Sequence, residues 1–261
     1  MRSILALIIG LGLMLQTLLP PGVPRSQPAS APRAVSAGGH SAGDSGARRI
    51  RLPAVMHYYD PHTARIRTEG AAAPVPPAPA PIRMWTPGPV YTQIGESCVG
   101  YALAAWLDAA PQSISMHPAG WALYQAARGR DGWPAGHQGT ALGAGLAVLQ
   151  NLGYVRDWQV TQDATTTLAF LRMEGPIVIG ADFPRGLLVF DDAETLLWTG
   201  PRSPHAWLCY GLDGAGRLAC QNSAGPGWNA DESGRFHIST ATLSTVLIHG
   251  QAWLIHKRAP G

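Results

Sequence analysis

The hydrophobic period of this chain changes once, near residue 175, and that change limits its fold more than any other feature. Before it, apolar residues recur at helical spacing, as Leu142, Leu146 and Leu149 do. After it, short runs rich in β-branched residues alternate with glycine-rich turns. Helices first and strands later predict an α+β domain with a cleft between its halves, rather than alternating βαβ units.

The bounds of the expected elements follow from breaks at proline and glycine. Helices are predicted over residues 98–110, 118–127, 140–152 and about 165–173. Strands are predicted over residues 176–182, 205–212, 217–222, 234–239 and 251–256. Thr140 is expected to cap the third helix and Gly153 to end it. The folded domain is therefore expected to span residues 82–257.

Residues 20–81 have a composition that cannot form a core. Pro, Ala, Gly and Ser dominate this segment, and residues 71–81 are almost entirely alanine and proline. Such a run cannot offset its chain entropy by burying apolar surface, so we predict an extended, disordered linker. Its basic stretch, residues 48–67, would suit attachment to cell-wall polymer or anionic lipid, although a solvated linker is the simpler interpretation.

Residues 1–19 have the pattern of a secretory signal. One basic residue, Arg2, precedes an apolar run over residues 4–15, which is shorter than the roughly 20 residues that a membrane-spanning helix needs. A cleaved signal peptide is favoured, and an uncleaved signal-anchor is the alternative. Either predicts an extracytoplasmic protein, secreted or held at the membrane.

Charge and residue spacing argue against two kinds of partner. The formal net charge is only +3, and no run of Lys and Arg is interleaved with aromatic residues, so we expect no nucleic-acid partner. No spacing of His and Cys is typical of a zinc site, so we expect neither a metal nor a cofactor.

Cys98 lies where a polar turn, residues 93–97, meets the first helical run. Unpaired N–H groups and the dipole at a helix N-terminus favour a thiolate, which makes Cys98 a candidate nucleophile. A free cysteine in an apolar helix is more often a core residue. The chemical role is favoured here because His205 and Asn222, far downstream, would supply a base and an amide that orients it.

The predicted hairpin over residues 205–222 tests whether His205 and Asn222 meet. If Asp213 pairs with Gly216, Trp207 lies opposite Asn222, which places Asn222 diagonal to His205 on one face of the sheet. A loop with an odd number of residues would instead turn Asn222 away.

The same register places Cys209 opposite Cys220. A cross-strand disulfide is conceivable in an exported protein, but here the pair falls at a hydrogen-bonded site, whose geometry suits a bridge poorly. Two buried thiols are therefore the expectation.

The local sequences around these residues carry a family likeness. The matching fragments are Gln93, Ser97-Cys98-Val-Gly-Tyr-Ala102, Pro204-His205-Ala206, and Asn222-Ser223-Ala-Gly225-Pro-Gly227-Trp228 leading to residues 234–238. In this order the chain resembles the papain-like cysteine peptidases. Gly139-Thr140 and residues 174–180 are similar to the shorter bacterial and phage branch of that family. The resemblance covers the whole predicted domain.

This resemblance implies a two-lobed fold, helical in its N-terminal half and antiparallel β in its C-terminal half, that hydrolyses peptide bonds. Cys98 would be the nucleophile in a thiolate–imidazolium ion pair with His205, and Asn222 would orient the imidazole. Gln93 and the Cys98 backbone N–H would form the oxyanion hole, and the acyl-enzyme would be a thioester. A peptide or protein substrate and a monomeric chain are expected.

Three features differ from the family pattern. Gln93 precedes Cys98 by 98 − 93 = 5 positions, one fewer than usual. Ala224 stands where the family usually has a tryptophan that shields the Asn–His bond, so we expect a more exposed hydrogen bond and reduced activity. No recognisable helical inhibitory pro-segment precedes the domain.

Two alternatives stay open. One is a non-enzymatic or weakly active module that keeps the papain-like fold for binding, which Ala224 and the short Gln93 spacing favour. The other is a different thiol hydrolase, such as a cell-wall amidase or a transglutaminase-like enzyme. Asn222-Ser223 followed by Gly227-Trp228 argues against the second, because those groups commonly carry a His or Asp as the third member.

Overall fold

The computed structural model describes residues 48–51, 84–184, 187–190, 195–228 and 233–258 of the 261-residue chain. The chain divides into two units, Met1–Gly43 and Asp44–Gly261, and every described residue belongs to the second. The expected signal segment, residues 1–19, and most of the expected linker lie outside the described residues.

Five α-helices lie within the described ranges, and four of them were predicted to within two residues at each end. They are α1 Cys98–Asp108, α2 Gly120–Arg128, α3 Leu142–Asn151, α4 Ala164–Met173 and α5 Thr240–His249. Asp163 caps α4 by accepting the Thr166 backbone N–H at 2.6 Å. Helix α5 falls where the sequence pattern predicted no element.

Thr140 does not cap α3, so that prediction is wrong. The helix begins at Leu142 with Ala141 as its N-cap residue, and Ala141 offers no side-chain acceptor. The Thr140 hydroxyl instead donates to Asp131 Oδ2 at 2.7 Å. A hydrogen bond to a carboxylate is strong, and this one holds the hydroxyl at Asp131.

Two antiparallel sheets are formed by the strands of the described residues. Their bounds are β1 Arg48–Arg51, β2 Val155–Thr161, β3 Ile177–Pro184, β4 Leu187–Phe190, β5 Leu196–Leu197, β6 Arg202–Leu212, β7 Leu218–Gln221, β8 Arg235–Ile238 and β9 Gln251–Lys257. The main sheet has six strands in the order β2-β9-β3-β6-β7-β8, and the second has the order β1-β4-β5. Strands β3, β6, β7, β8 and β9 were predicted; β1, β2, β4 and β5 were not.

Strand β1 lies in the segment that was expected to be a structureless linker. It pairs with β4 in register, from Arg48 opposite Phe190 to Arg51 opposite Leu187. The composition of the segment gives no sign of this strand, because it is held by main-chain pairing with a distant partner rather than by its own apolar pattern.

Helix α1 is a buried central element that contacts both α2 and β6. All of its residues from Cys98 to Leu107 are buried. The Trp106 indole N–H donates to the Pro176 carbonyl at 3.2 Å and ties the helix to the start of β3. A Cβ at Gly100 would overlap the Gly120 carbonyl oxygen, so α1 and α2 approach closely there. These contacts fix the position of the helix start, where Cys98 lies.

In the β6–β7 hairpin, the partners of Leu208 and Cys209 are the predicted ones, but the turn that joins the strands differs from the prediction. Its loop is odd, because Asp213 and Arg217 pair across three intervening residues, so the predicted Asp213–Gly216 pair is wrong. An extra residue in β6, Tyr210, forms a bulge between Cys209 and Gly211. The bulge cancels the one-residue slip, and Leu208 and Cys209 return to the predicted partners, Gln221 and Cys220.

Cys209 and Cys220 form a disulfide, so the expectation of two thiols is wrong. Their Cα atoms are 4.0 Å apart, which is the spacing of a close, non-hydrogen-bonded pair (about 4.5 Å) rather than of a hydrogen-bonded one (about 5.5 Å). The odd loop and the bulge together change which pairs are hydrogen-bonded, and they place the two sulfurs at a site that suits a bridge.

Among the described residues, no helix is long and apolar enough to cross a membrane.

Candidate active site

Cys98 is the first residue of α1, as the sequence predicts, and a tight turn leads into it. Gly95 has a φ of 57°, which glycine adopts without strain. The Ser97 hydroxyl donates to the Ile94 carbonyl at 2.6 Å and closes the turn. The thiol is thereby placed at the helix N-terminus, but it is fully buried, with 0% of Cys98 exposed.

His205 on β6 and Asn222, directly after β7, meet through a hydrogen bond. His205 Nε2 lies 2.8 Å from Asn222 Oδ1, and the two residues are 1% and 2% exposed. The same Oδ1 accepts the Ser223 backbone N–H at 2.7 Å, which supports its assignment as the amide oxygen. Because an amide oxygen only accepts, Nε2 carries the proton and Nδ1 of the neutral ring keeps its lone pair. Nδ1 is buried and has no hydrogen-bond partner among the described residues.

The Cys98 sulfur lies beside the strand that carries the imidazole. The backbone N–H of Ala206, which directly follows His205, donates a hydrogen bond to this sulfur. The structure therefore brings Cys98, His205 and Asn222 to one place, where the start of α1 meets β6 and the end of β7.

Burial sets the protonation of the thiol and the imidazole. It raises the pKa of Cys98 to about 11, although N–H bonds from Ala206 and Val99 act in the opposite direction. It lowers the pKa of His205 to about 4, although the hydrogen bond to Asn222 favours the charged ring. At pH 7 both groups are neutral. Burial therefore opposes the ion pair that the resemblance implies, because it disfavours the charged form of each group more than the helix N-terminus and the hydrogen bonds favour it.

Gln93 is held close to Asn222 by Ser223. The Ser223 hydroxyl donates to Gln93 Oε1 at 2.6 Å, and the Gln93 backbone N–H donates to the Ser223 carbonyl at 2.7 Å. Gln93 Nε2 donates one of its two protons to the Gly95 carbonyl at 2.8 Å, and the amide carries a second proton. The side chain is thus fixed from both ends. Ser223 belongs to the fragment that resembles the family, but the sequence pattern gave it no role in the site.

The expectation that Ala224 leaves the His205–Asn222 bond exposed is wrong. Both partners are buried, and aromatic rings from β3 and β6 lie beside the imidazole. The ring centroid of Phe183 is 5.2 Å from that of His205, and the centroid of Trp207 is 6.2 Å away. The sequence pattern placed Trp207 opposite Asn222 and did not single out Phe183.

The site is closed in this structure. A cavity beside Asn222, lined by Tyr91, Tyr101 and Trp207 among others, measures about 10 Å³. This is room for about one water, whereas ligand pockets measure about 300–1,000 Å³. Any ligand reaches Cys98 only when the residues that bury it move. Within the described ranges, no group of three or more His, Cys, Asp or Glu could hold a metal ion.

The chain is similar to several solved structures. Xylellain, a cysteine protease from Xylella fastidiosa, is 21% identical with a TM-score of 0.50 over 68% of this chain and 87% of its own. Procathepsin L 3 from the larval midgut of Tenebrio molitor is 14% identical with a TM-score of 0.50 over 70% and 73%. The proform of Amb a 11, a cysteine protease and ragweed pollen allergen, is 13% identical with a TM-score of 0.51 over 71% and 62%.

These likenesses show that the chain has a papain-like fold, with the α+β, two-lobed arrangement that the sequence predicts. No protein-family model and no curated protein matches the chain.

Proposed function

We propose that this chain is an exported papain-like cysteine peptidase, of the shorter bacterial and phage branch, that acts as a monomer on peptides or proteins. The hydrogen bond of 2.8 Å between His205 and Asn222, beside the Cys98 sulfur, carries the proposal. A base oriented by an amide and placed next to a thiol is the arrangement that nucleophilic thiol catalysis needs. The cysteine proteases with the same fold support this assignment.

Acylation begins with proton transfer from the Cys98 thiol to His205 Nδ1, which holds the free lone pair. The sulfur attacks the peptide carbonyl carbon, and the C=O electron pair moves to the oxygen. When the tetrahedral intermediate collapses, the C–N bond breaks and the amine takes the proton from Nδ1. Cys98 is left as a thioester, and His205 is neutral again.

Deacylation uses the same base on water. His205 Nδ1 takes a proton from water while the hydroxide attacks the thioester carbonyl, and the C–S bond then breaks. The released thiolate recovers the proton from Nδ1, and the carboxylic acid product leaves. Asn222 Oδ1 accepts the Nε2 proton throughout and holds the ring in one orientation.

Oxyanion stabilisation is assigned to the Cys98 backbone N–H and to the second Nε2 proton of Gln93. Removal of one such donor slows related acyl transfers by about 10²–10³-fold. Because Gln93 Oε1 is occupied by Ser223, its amide presents nitrogen rather than oxygen away from Ser223.

Export is supported by two independent features. Residues 1–19 have the pattern of a signal segment. The Cys209–Cys220 disulfide suits an oxidising compartment, since disulfides are rare in reducing cytosol. N-terminal sequencing of the exported protein would distinguish a cleaved signal from an anchor.

A non-enzymatic or weakly active binding module is the second candidate. The complete burial of Cys98 favours it, as do the pKa shifts of Cys98 and His205, which both favour the neutral group. A cell-wall amidase or transglutaminase-like hydrolase is disfavoured, because the third member here is Asn222.

An epoxide inhibitor of the E-64 type tests the proposal on the full-length chain. We expect covalent labelling at Cys98 and cleavage of a peptide library, both lost in Cys98→Ala and kept in the control Ser244→Ala, which changes an exposed residue of α5. Asn222→Ala should lower kcat/KM by about 100-fold, within the range of general acid–base contributions. Absence of both labelling and cleavage from pH 4 to 10 would support the binding module instead.

A further inference from the structure

Strand pairing places Phe183, which is not one of the three proposed catalytic residues, beside the imidazole of His205. On β3, Ala181 lies opposite His205 and Phe183 lies opposite Ser203. Phe183 is therefore the diagonal neighbour of His205 on the same face of the sheet. The directly opposite residue is only an alanine, which leaves room for a large ring beside the imidazole.

Ring geometry shows that Phe183 is the central member of an aromatic cluster around His205. Its centroid is 5.2 Å from His205 and 5.2 Å from Trp207, in both cases edge to face with the planes at 65°. Trp207 stacks on the imidazole, with the centroids 6.2 Å apart and the planes at 21°. Trp198 lies 5.3 Å from Phe183 and 5.7 Å from Trp207. Phe183 itself is 1% exposed.

The aromatic cluster can keep water from the His205–Asn222 hydrogen bond, which the small side chain of Ala224 cannot do. A hydrogen bond that water can reach exchanges partners with the solvent and contributes little net orientation. A dry, apolar wall removes that competition and strengthens the bond electrostatically. Rings of β3 and β6 make such a wall on the His205 side of the 2.8 Å bond to Asn222, where position 224 supplies only a methyl group.

We propose that Phe183 is a positioning residue, which keeps water from the His205–Asn222 hydrogen bond and holds the imidazole with Nδ1 towards Cys98. This inference rests on the proposed peptidase function for its kinetic consequence. Its structural part, a dry bond maintained by Phe183, does not depend on catalysis.

A double-mutant cycle measures the kinetic consequence. In the full-length chain, Phe183→Leu should lower kcat/KM by about 10-fold, mostly through kcat, because the ring contacts the base and not the substrate. Asn222→Ala should then lower kcat/KM by only about 10-fold in the Phe183→Leu background, against about 100-fold in the parent chain. Such coupling is expected only if Phe183 acts through the bond that Asn222 makes.

Phe236→Leu is the matched control. Phe236 is also 1% exposed and lies 5.6 Å from Phe183, so its truncation disturbs the same cluster. It belongs to β8, and its ring contacts in the cluster are with Phe183 and Trp228 rather than with the imidazole. We expect Phe236→Leu to lower the melting temperature comparably, while Asn222→Ala keeps its full effect in that background.

Exchange of the His205 Nε2 proton with water gives a readout that needs no activity. In ¹⁵N-histidine-labelled protein, with the signal assigned by loss in His205→Gln, this proton should exchange at least about 10-fold faster in Phe183→Leu than in the parent chain or in Phe236→Leu. Equal protection in all three, or an undiminished effect of Asn222→Ala in Phe183→Leu, would overturn the inference. A chain with no peptidase activity would overturn the proposed function alone, and proton exchange would still decide the role of Phe183.

Discussion

Removing the Cys209–Cys220 disulfide should destabilise the domain by an amount that follows from its position. The bridge closes a loop with a sequence separation of 11 residues. In the chain-entropy treatment, a loop of this length restricts the unfolded chain by about 9 cal/mol/K, or about 2.8 kcal/mol at 25 °C. For a domain of 150–250 residues this lowers Tm by roughly 6–11 °C.

The variant Cys209→Ala/Cys220→Ala, followed by thermal circular dichroism without reductant, measures this effect. Cys98→Ala is the control, because it removes a buried sulfur that is not cross-linked. Thiol titration of the unfolded parent chain should find one group before reduction and three after it. Three titratable thiols without reductant, or a double variant as stable as Cys98→Ala, would refute the reasoning.

Three further outcomes are expected. Ser223→Ala should lower kcat/KM by about 10-fold by releasing Gln93 Oε1, while Ser223→Thr, which keeps the hydroxyl, should retain more activity; equal values would remove Ser223 from the site. Alkylation of Cys98 by iodoacetamide should be slow at pH 7 and rise towards pH 11, because burial raises the pKa of this thiol to about 11; a plateau near pH 8.5 would contradict that burial. Burial lowers the pKa of His117, but hydrogen bonds to Asp108 and to the Pro118 carbonyl outweigh burial and raise that pKa. Protonated His117 therefore stabilises the fold below about pH 6.5, and this stabilisation is lost as pH rises through the folded-state pKa. His117→Gln should flatten this part of the profile of stability against pH, measured by urea unfolding.

The fold class could be predicted because hydrophobic period and chain breakers are local signals. Helices α1 to α4 have both, and their bounds were predicted closely. Strand β2 was missed because it is an edge strand with only one buried residue among seven, so its apolar alternation is weak. Strand β1 was missed because its partner β4 lies more than a hundred residues away.

The site could be predicted only as far as chain order and local motif allow. Cys98, His205 and Asn222 are recognisable from their flanking residues, but their meeting depends on register. An odd loop and a bulge at Tyr210 each shift the strand pairing by one residue. The sequence predicts neither feature. The two shifts cancel, and Asn222 reaches His205 although the predicted turn is wrong.

Motif comparison also does not predict which strand supplies the aromatic ring beside the imidazole of His205. We expected a solvent-exposed His205–Asn222 hydrogen bond because position 224 has alanine where the family usually has tryptophan. In the structure the ring comes from β3, through a diagonal pairing of Phe183 with His205. Which strand supplies a ring to a given face depends on cross-strand register, which a single sequence leaves open.

Access to Cys98 and the protonation states of Cys98 and His205 are coupled, because burial controls both. The helix N-terminus stabilises a thiolate by about 0.3–1 kcal/mol, whereas the rise in the pKa of Cys98 from 9.0 to about 11 corresponds to roughly 3 kcal/mol against it. The same burial disfavours the imidazolium of His205. Opening the site to a peptide or to water removes both penalties together. Formation of the ion pair is therefore expected to accompany substrate entry, which keeps the thiol unreactive while the site is closed.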